Sequence, residues 1–148
     1  MRIEEDFREF FVLLNKPNVL YLIVGGYAYS FYAEPRFTKD LKIFLDRSAE
    51  NAEKVIQVLS DFGFTGLGLT KEDFIKAGDV VQLGVAPVRI DLVTSITGVE
   101  FSEAWINRSA GHFGDVPVHI ISKADLIRNK AAVGRMQDLS DIDKLRKI

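Results

Sequence analysis

The chain has 148 residues, the ordinary size of one domain, and its 47% of hydrophobic residues are enough to bury a core. A net charge of -2 argues against a strongly basic nucleic-acid binder or an acidic tail; the absence of cysteine excludes disulfides and thiolate metal sites, and His112 and His119 alone do not make a histidine-rich zinc site. The apolar runs are too short to cross a bilayer and the opening MRIEEDFREF puts acids where a signal peptide needs bases, so the expectation is a soluble cytoplasmic domain over residues 1–148 with no membrane partner.

In chain order, residues 3–15 set Ile3, Phe7, Phe10, Phe11 and Leu14 at helical spacing, with acids near the front where the helix dipole favours them. VLYLIV (19–24) is an apolar run rich in β-formers that ends at Gly25-Gly26, which predicts a buried strand. YAYSFYA (27–33) predicts a short helix ended before Pro35, and residues 38–46 predict the next strand. Ser48 caps a helix over 49–61 with Ala52, Val55, Ile56 and Leu59 on one face; Thr70 and Asp73 mark a further helix start. VVQLGVAPVRIDLVTSI (80–96) reads as two strands joined by a tight turn near Ala86-Pro87, with Arg89, Asp91 and Val93 on one face of the second and Ile90 and Leu92 on the other. A helical turn over 101–106, a strand over 116–121, a helix over 123–133 capped by Ser122 and a last helix over 137–147 complete the chain. Helices and strands interleave without repeat or linker, which predicts one α/β or α+β layered fold.

The stretch FTKDLKIFLD holds the sharpest anomaly. Leu41, Ile43 and Leu45 face one way, while Asp40, Lys42 and Asp46 face the other, so a lysine follows an aspartate on one side of an apolar strand. Two further features stand beside it. Gly25-Gly26 lies between a strand and a helix, where glycine lets backbone approach a bulky ligand and the helix N-terminus offers unpaired N–H groups to an anion; the bland alternative is a plain tight turn. Asp91 sits in an apolar frame, as Asp40 does, and carboxylates from neighbouring strands can converge on Mg²⁺ for in-line phosphoryl or nucleotidyl transfer, chemistry that usually takes three acids.

IVGGYAYSFYAEPRFTKDLKIFL followed by VRIDLVTSI resembles the minimal nucleotidyltransferases of the polymerase-β-like superfamily, and within it the bacterial abortive-infection and toxin–antitoxin group. That pattern is an apolar strand, Gly-Gly or Gly-Ser, a short helix, an Arg-x-Thr-x-Asp-apolar-Asp strand and a third acid on a later strand; Gly25, Gly26, Arg36, Thr38, Asp40 and Asp91 match it. DLIRNKAAVGRMQDLSDIDKL is similar to the Lys/Arg-bearing helix pair beside the nucleotide in that group. The resemblance implies a nucleotidyltransferase fold with a mixed, mostly antiparallel sheet and helices against one face. It implies an NTP held by Gly25, Gly26, Tyr27, Arg36, Thr38 and Lys130, and Mg²⁺ held by Asp40 and Asp91. The acceptor would be a hydroxyl on protein or RNA, with a cognate partner protein in a toxin–antitoxin system.

Lys42 departs from the pattern, which has there the aspartate that bridges the metals. Two unit charges about 4 Å apart at an effective dielectric of about 20 interact by about 4 kcal/mol, so exchanging an acid for an ammonium opposes metal binding strongly. The expectation is that the ammonium replaces a cation by bridging Asp40 and Asp91, leaving metal-dependent transfer impaired, whether the lysine marks a non-catalytic relative or an introduced change. The alternatives are a lysine stem bent into solvent, and a nucleotide- or partner-binding module without catalysis.

The remaining candidates have plain alternatives. Arg36 can pair with Glu34, and Lys130 can solvate a helix face with Arg128 and Arg135. Arg89 can pair with Asp91 or Asp40. His119 falls on an open sheet face and His112 in a Gly-rich loop, while Trp105, the phenylalanines and most of the Tyr27/Tyr29/Tyr32 cluster read as packing.

Overall fold

The computed structural model describes residues 3–38, 40–64, 66–85 and 88–148. Its helices are α1 (Ile3–Asn15), α2 (Gly25–Tyr32), α3 (Ala49–Asp61), α4 (Phe101–Ile106), α5 (Lys123–Val133) and α6 (Met136–Arg146), with a 3-10 helix over Lys71–Phe74. Its strands are β1 (Tyr21–Val24), β2 (Leu41–Leu45), β3 (Val80–Val85), β4 (Val88–Val93), β5 (Ser109–Phe113) and β6 (Val116–Ile120). They form one sheet in the order β3-β4-β2-β1-β6-β5. The sheet is mixed and mostly antiparallel: β1–β2, β3–β4 and β5–β6 run antiparallel, β1–β6 and β2–β4 parallel.

Register divides the sheet into two faces. Tyr21 pairs with Leu45 and Ile23 with Ile43, while Ile43 also pairs with Leu92 and Leu41 with Ile90; this apolar face is buried. Helix α1 turns Phe7, Phe10, Phe11 and Leu14 inward, and Phe11 meets Tyr21 with ring centroids 5.9 Å apart. Burying a side chain of this size is worth about 1.5–3 kcal/mol, so this one helical stripe anchors the sheet. Phe44, on the opposite face, packs edge-on against Phe101 of α4. Helices therefore flank both faces, not one, because the face that carries Lys42 and Asp91 is itself apolar at Phe44.

Several boundaries differ from the sequence reading. Helix α2 begins at Gly25, so both glycines belong to its first turn, and β2 begins at Leu41, just after Asp40. The expected turn at Ala86-Pro87 lies outside the described residues. Strand β5 has no counterpart in the sequence reading: SAGHF is too poor in β-branched residues to stand out, and it forms because the Gly114 turn, with φ 62°, folds it back on β6. His112 is thus a strand residue opposite Pro117, and Phe37 and Phe31 are exposed despite the expectation of a wholly buried phenylalanine set. Among the described residues no helix is long and apolar enough to cross a membrane.

Candidate functional site

The site is built where β1 hands over to α2. Gly25 has φ 69°, a left-handed conformation that glycine adopts without a Cβ clash. Helix α2 starts with no side-chain cap and no acid in its first turn, so its leading N–H groups have no competing anion from its own sequence. The loop to β2 doubles back along this helix: the Arg36 amide donates to Ser30 Oγ at 3.1 Å, and a Cβ at Gly26 would collide with Thr38 Cγ2. Close approach, and not chain flexibility, is what Gly26 supplies. Gly26→Ala is expected to cost about 1–3 kcal/mol by overpacking, and Thr38→Ser to recover part of it; urea denaturation of the single and double variants measures both.

The second element is a polar row across the sheet. Val24, Lys42, Asp91 and Gln82 are register partners on β1, β2, β4 and β3 in turn. Asp91 is 4% exposed and is held by a fork from Arg89, with Nε to Oδ1 at 3.0 Å and Nη2 to Oδ2 at 2.9 Å. Asp40 lies just before β2, two residues from Lys42, and close enough to Asp91 for the two carboxylates to act on each other. Burial, and then the Asp91 carboxylate, push the Asp40 carboxyl above the usual range, while Lys42 and Arg89 pull it back only in part. The two acids, 51 positions apart in sequence number, do come together.

Lys42 does not bridge them. Among the described residues it forms no ion pair with either acid. Its stem instead lies along the glycine turn, with Cβ and Cδ 3.5 and 3.8 Å from where a side chain at position 25 would begin. The expected bridging cation on Asp91 is supplied by Arg89, whose two donors fit a carboxylate better than an ammonium. Because the folded state raises the Asp40 pKa, its ionisation opposes folding: the favourable contribution is present below the unfolded carboxylate pKa and lost as pH rises through the folded one. Asp40→Asn is therefore expected to raise the melting temperature at pH 7, with a gain of no more than about 1 kcal/mol for a partly exposed group. The gain should vanish near pH 3.

Lys42, Gly25 and Val24 form one wall of a cleft of about 310 Å³ whose other wall is α5 and the start of α6, including Lys130, Val133, Arg135 and Asp138. Lys130 is 7% exposed and bonds Asp141 at 2.9 Å, with Asp138 at 3.6 Å; Arg135 forks onto Asp138. Arg36 is outside this lining. Its guanidinium forks onto Asp141 at 2.9 and 2.5 Å and lies 3.9 Å over the Tyr29 ring. The pairing suggested with Glu34 is not made, because Glu34 takes the Tyr29 hydroxyl and Lys144. Tyr27 packs edge-on against Phe7 and is likewise not part of the cleft lining. A larger cleft of about 450 Å³ shares the Ser95-Ile96 wall but opens toward Asp46, Arg47 and Glu100 at the far end of β2, away from the glycine turn.

Asp138 and Asp141 were missed in the sequence, although a signal exists. Asp138, Asp141, Ile142 and Leu145 recur at 3, 4 and 7 positions along α6, and all are buried. Acids set into the apolar stripe of a helix indicate buried ion pairs, and the cations they require are Arg36 and Lys130.

Mg²⁺ was expected at Asp40 and Asp91. Among the described residues no three His, Cys, Asp or Glu side chains form a metal-ligating group. Both oxygens of Asp91 already accept from Arg89, and Lys42 stands where a third carboxylate would be needed. As this donor set stands, it does not fit a divalent cation.

The sheet order and the flanking helices are those of a nucleotidyltransferase fold. No protein-family model matches the chain, and no curated protein matches it in sequence. In structure it matches a lincosamide antibiotic adenylyltransferase, LnuA, in a lincomycin-bound crystal structure, with a TM-score of 0.60 and 19% sequence identity over 97% of this chain and 96% of that one. At that identity the likeness establishes the fold.

Proposed function

We propose that this chain binds a nucleoside triphosphate in the 310 Å³ cleft beside the Gly25-Gly26 turn, and that its capacity for metal-dependent nucleotidyl transfer is impaired. The observation that carries this reading is the state of the acid pair: Arg89 is forked onto Asp91, and Lys42 fills the slot where the resembled family places its second, metal-bridging acid. In the parent chemistry the glycine turn holds the triphosphate, the acids hold Mg²⁺, and a hydroxyl attacks the α-phosphate. Here Gly25 and Lys42 in the cleft lining, with Gly26 beside them in the first turn of α2, remain to hold phosphate, and the Arg36–Asp141 fork fixes the α2–β2 loop behind them. Protein or RNA acceptors come from the sequence resemblance. The structural neighbour, named for a lincosamide antibiotic, adds a small-molecule hydroxyl as a third acceptor class.

The second reading is a nucleotide- or partner-binding module with no transfer activity, such as one half of a toxin–antitoxin pair, and the neutralised acid pair favours it equally. Incubation with α-labelled NTPs and Mg²⁺ separates the two. Label on protein, RNA or a small-molecule acceptor supports a residual enzyme; a thermal shift with NTP and no label supports the module. Neither a thermal shift nor label transfer with any NTP would refute nucleotide binding altogether.

A further inference from the structure

The cleft contains a cation that acts on Asp40 without forming an ion pair with it. Lys130 is matched by Asp141 and Asp138, and Arg135 by Asp138. Lys42 lines the same cleft and, among the described residues, has no ion-pair partner. Its stem is laid against Gly25, with Cβ and Cδ 3.5 and 3.8 Å from where a side chain there would begin, at the uncapped start of α2. The α2 N–H groups and the Lys42 side chain thus border one end of the cleft, while Asp91, which would recruit a metal, is already occupied by Arg89. Val80, Val93 and Val133 supply an apolar part of the same lining, and Val80 and Val133 are 64% and 42% exposed. A cleft that sets a lysine beside exposed apolar side chains fits a ligand with an anionic end and an apolar part.

Resting on the nucleotide reading above, we propose that the polyphosphate is bound here without a divalent cation, with the Lys42 ammonium acting as the built-in counter-ion. This is a change of ligand form: metal-free nucleoside triphosphate, which carries more negative charge than its Mg²⁺ complex, is the preferred species. The lysine that removes the metal site thereby creates a metal-independent anion site from the same strand position.

The test is isothermal titration of the full chain with ATP, GTP, CTP and UTP separately, once in Mg²⁺ and once in EDTA. For at least one nucleotide, affinity in EDTA should equal or exceed that in Mg²⁺. Lys42→Met keeps the stem and removes the charge, and should weaken binding in EDTA at least about tenfold, the size of one charge-assisted phosphate contact. Lys42→Gln serves as a second variant, and thermal melts confirm that each is folded. Binding that requires Mg²⁺, or Lys42 variants that bind as tightly as the native chain, would overturn this inference and leave the nucleotide reading standing. No binding of any of the four in either buffer would end both.

Discussion

Asp141→Asn is expected to lower the free energy of unfolding by about 3–5 kcal/mol, the range for breaking a buried ion pair from one side. Asp141 is fully buried and accepts from the two terminal Arg36 nitrogens, from Lys130 at 2.9 Å and from Gln137 at 3.2 Å. Substituting asparagine leaves Lys130, itself nearly buried, short of its counter-charge, and unties the α2–β2 loop from α6. Burial alone would push the Asp141 carboxyl up, but the hydrogen bonds from Arg36, Lys130 and Gln137 outweigh it and hold the group well below the usual carboxylate range. A carboxyl lowered in the folded state contributes stability above its unfolded pKa of about 3.9 and loses it as pH falls toward the folded value. Urea denaturation should therefore show the full gap between native and variant at pH 7 and a narrowing gap below about pH 3.9. A loss under about 1 kcal/mol at pH 7, the size of a surface pair, would mean that the network is not a buried clamp.

Lys42→Asp is expected to create a Mg²⁺ site. The substitution exchanges an ammonium for a carboxylate directly across from Asp91 and two residues from Asp40. With one charge interaction of about 4 kcal/mol at 4 Å as the upper scale, a gain of at least about 2 kcal/mol in cation affinity survives screening and competition from Arg89. Without metal, three acids would crowd one another, so the variant should melt below the native chain in EDTA and recover in Mg²⁺, as binding to the folded state alone requires. The native chain should show no such recovery.

Much of this was legible before any coordinates. The helices over 49–61 and 123–133 appeared as expected because capping serines at 48 and 122 mark their starts. The acid pair was found through the strand frames of Asp40 and Asp91, and Arg89 was already one of the candidate partners for Asp91. What the sequence hid was pairwise choice. Arg36 could reach Glu34, its near neighbour in sequence, yet it took Asp141, 105 positions away, because only that carboxylate is buried and needs two donors. Lys42 and Arg89 competed for one acid, and the guanidinium fork won by geometry. Strand β5 was hidden because SAGHF owes its conformation to its partner strand more than to its own composition.

The most direct measurement is a Mg²⁺ titration, by calorimetry, of the native chain beside Lys42→Asp, with no nucleotide present. The prediction is no measurable binding by the native chain and saturable binding by the variant, with affinity at least about thirtyfold higher. Equal affinity in the two proteins would contradict the claim that Lys42 and Arg89 neutralise the acid pair.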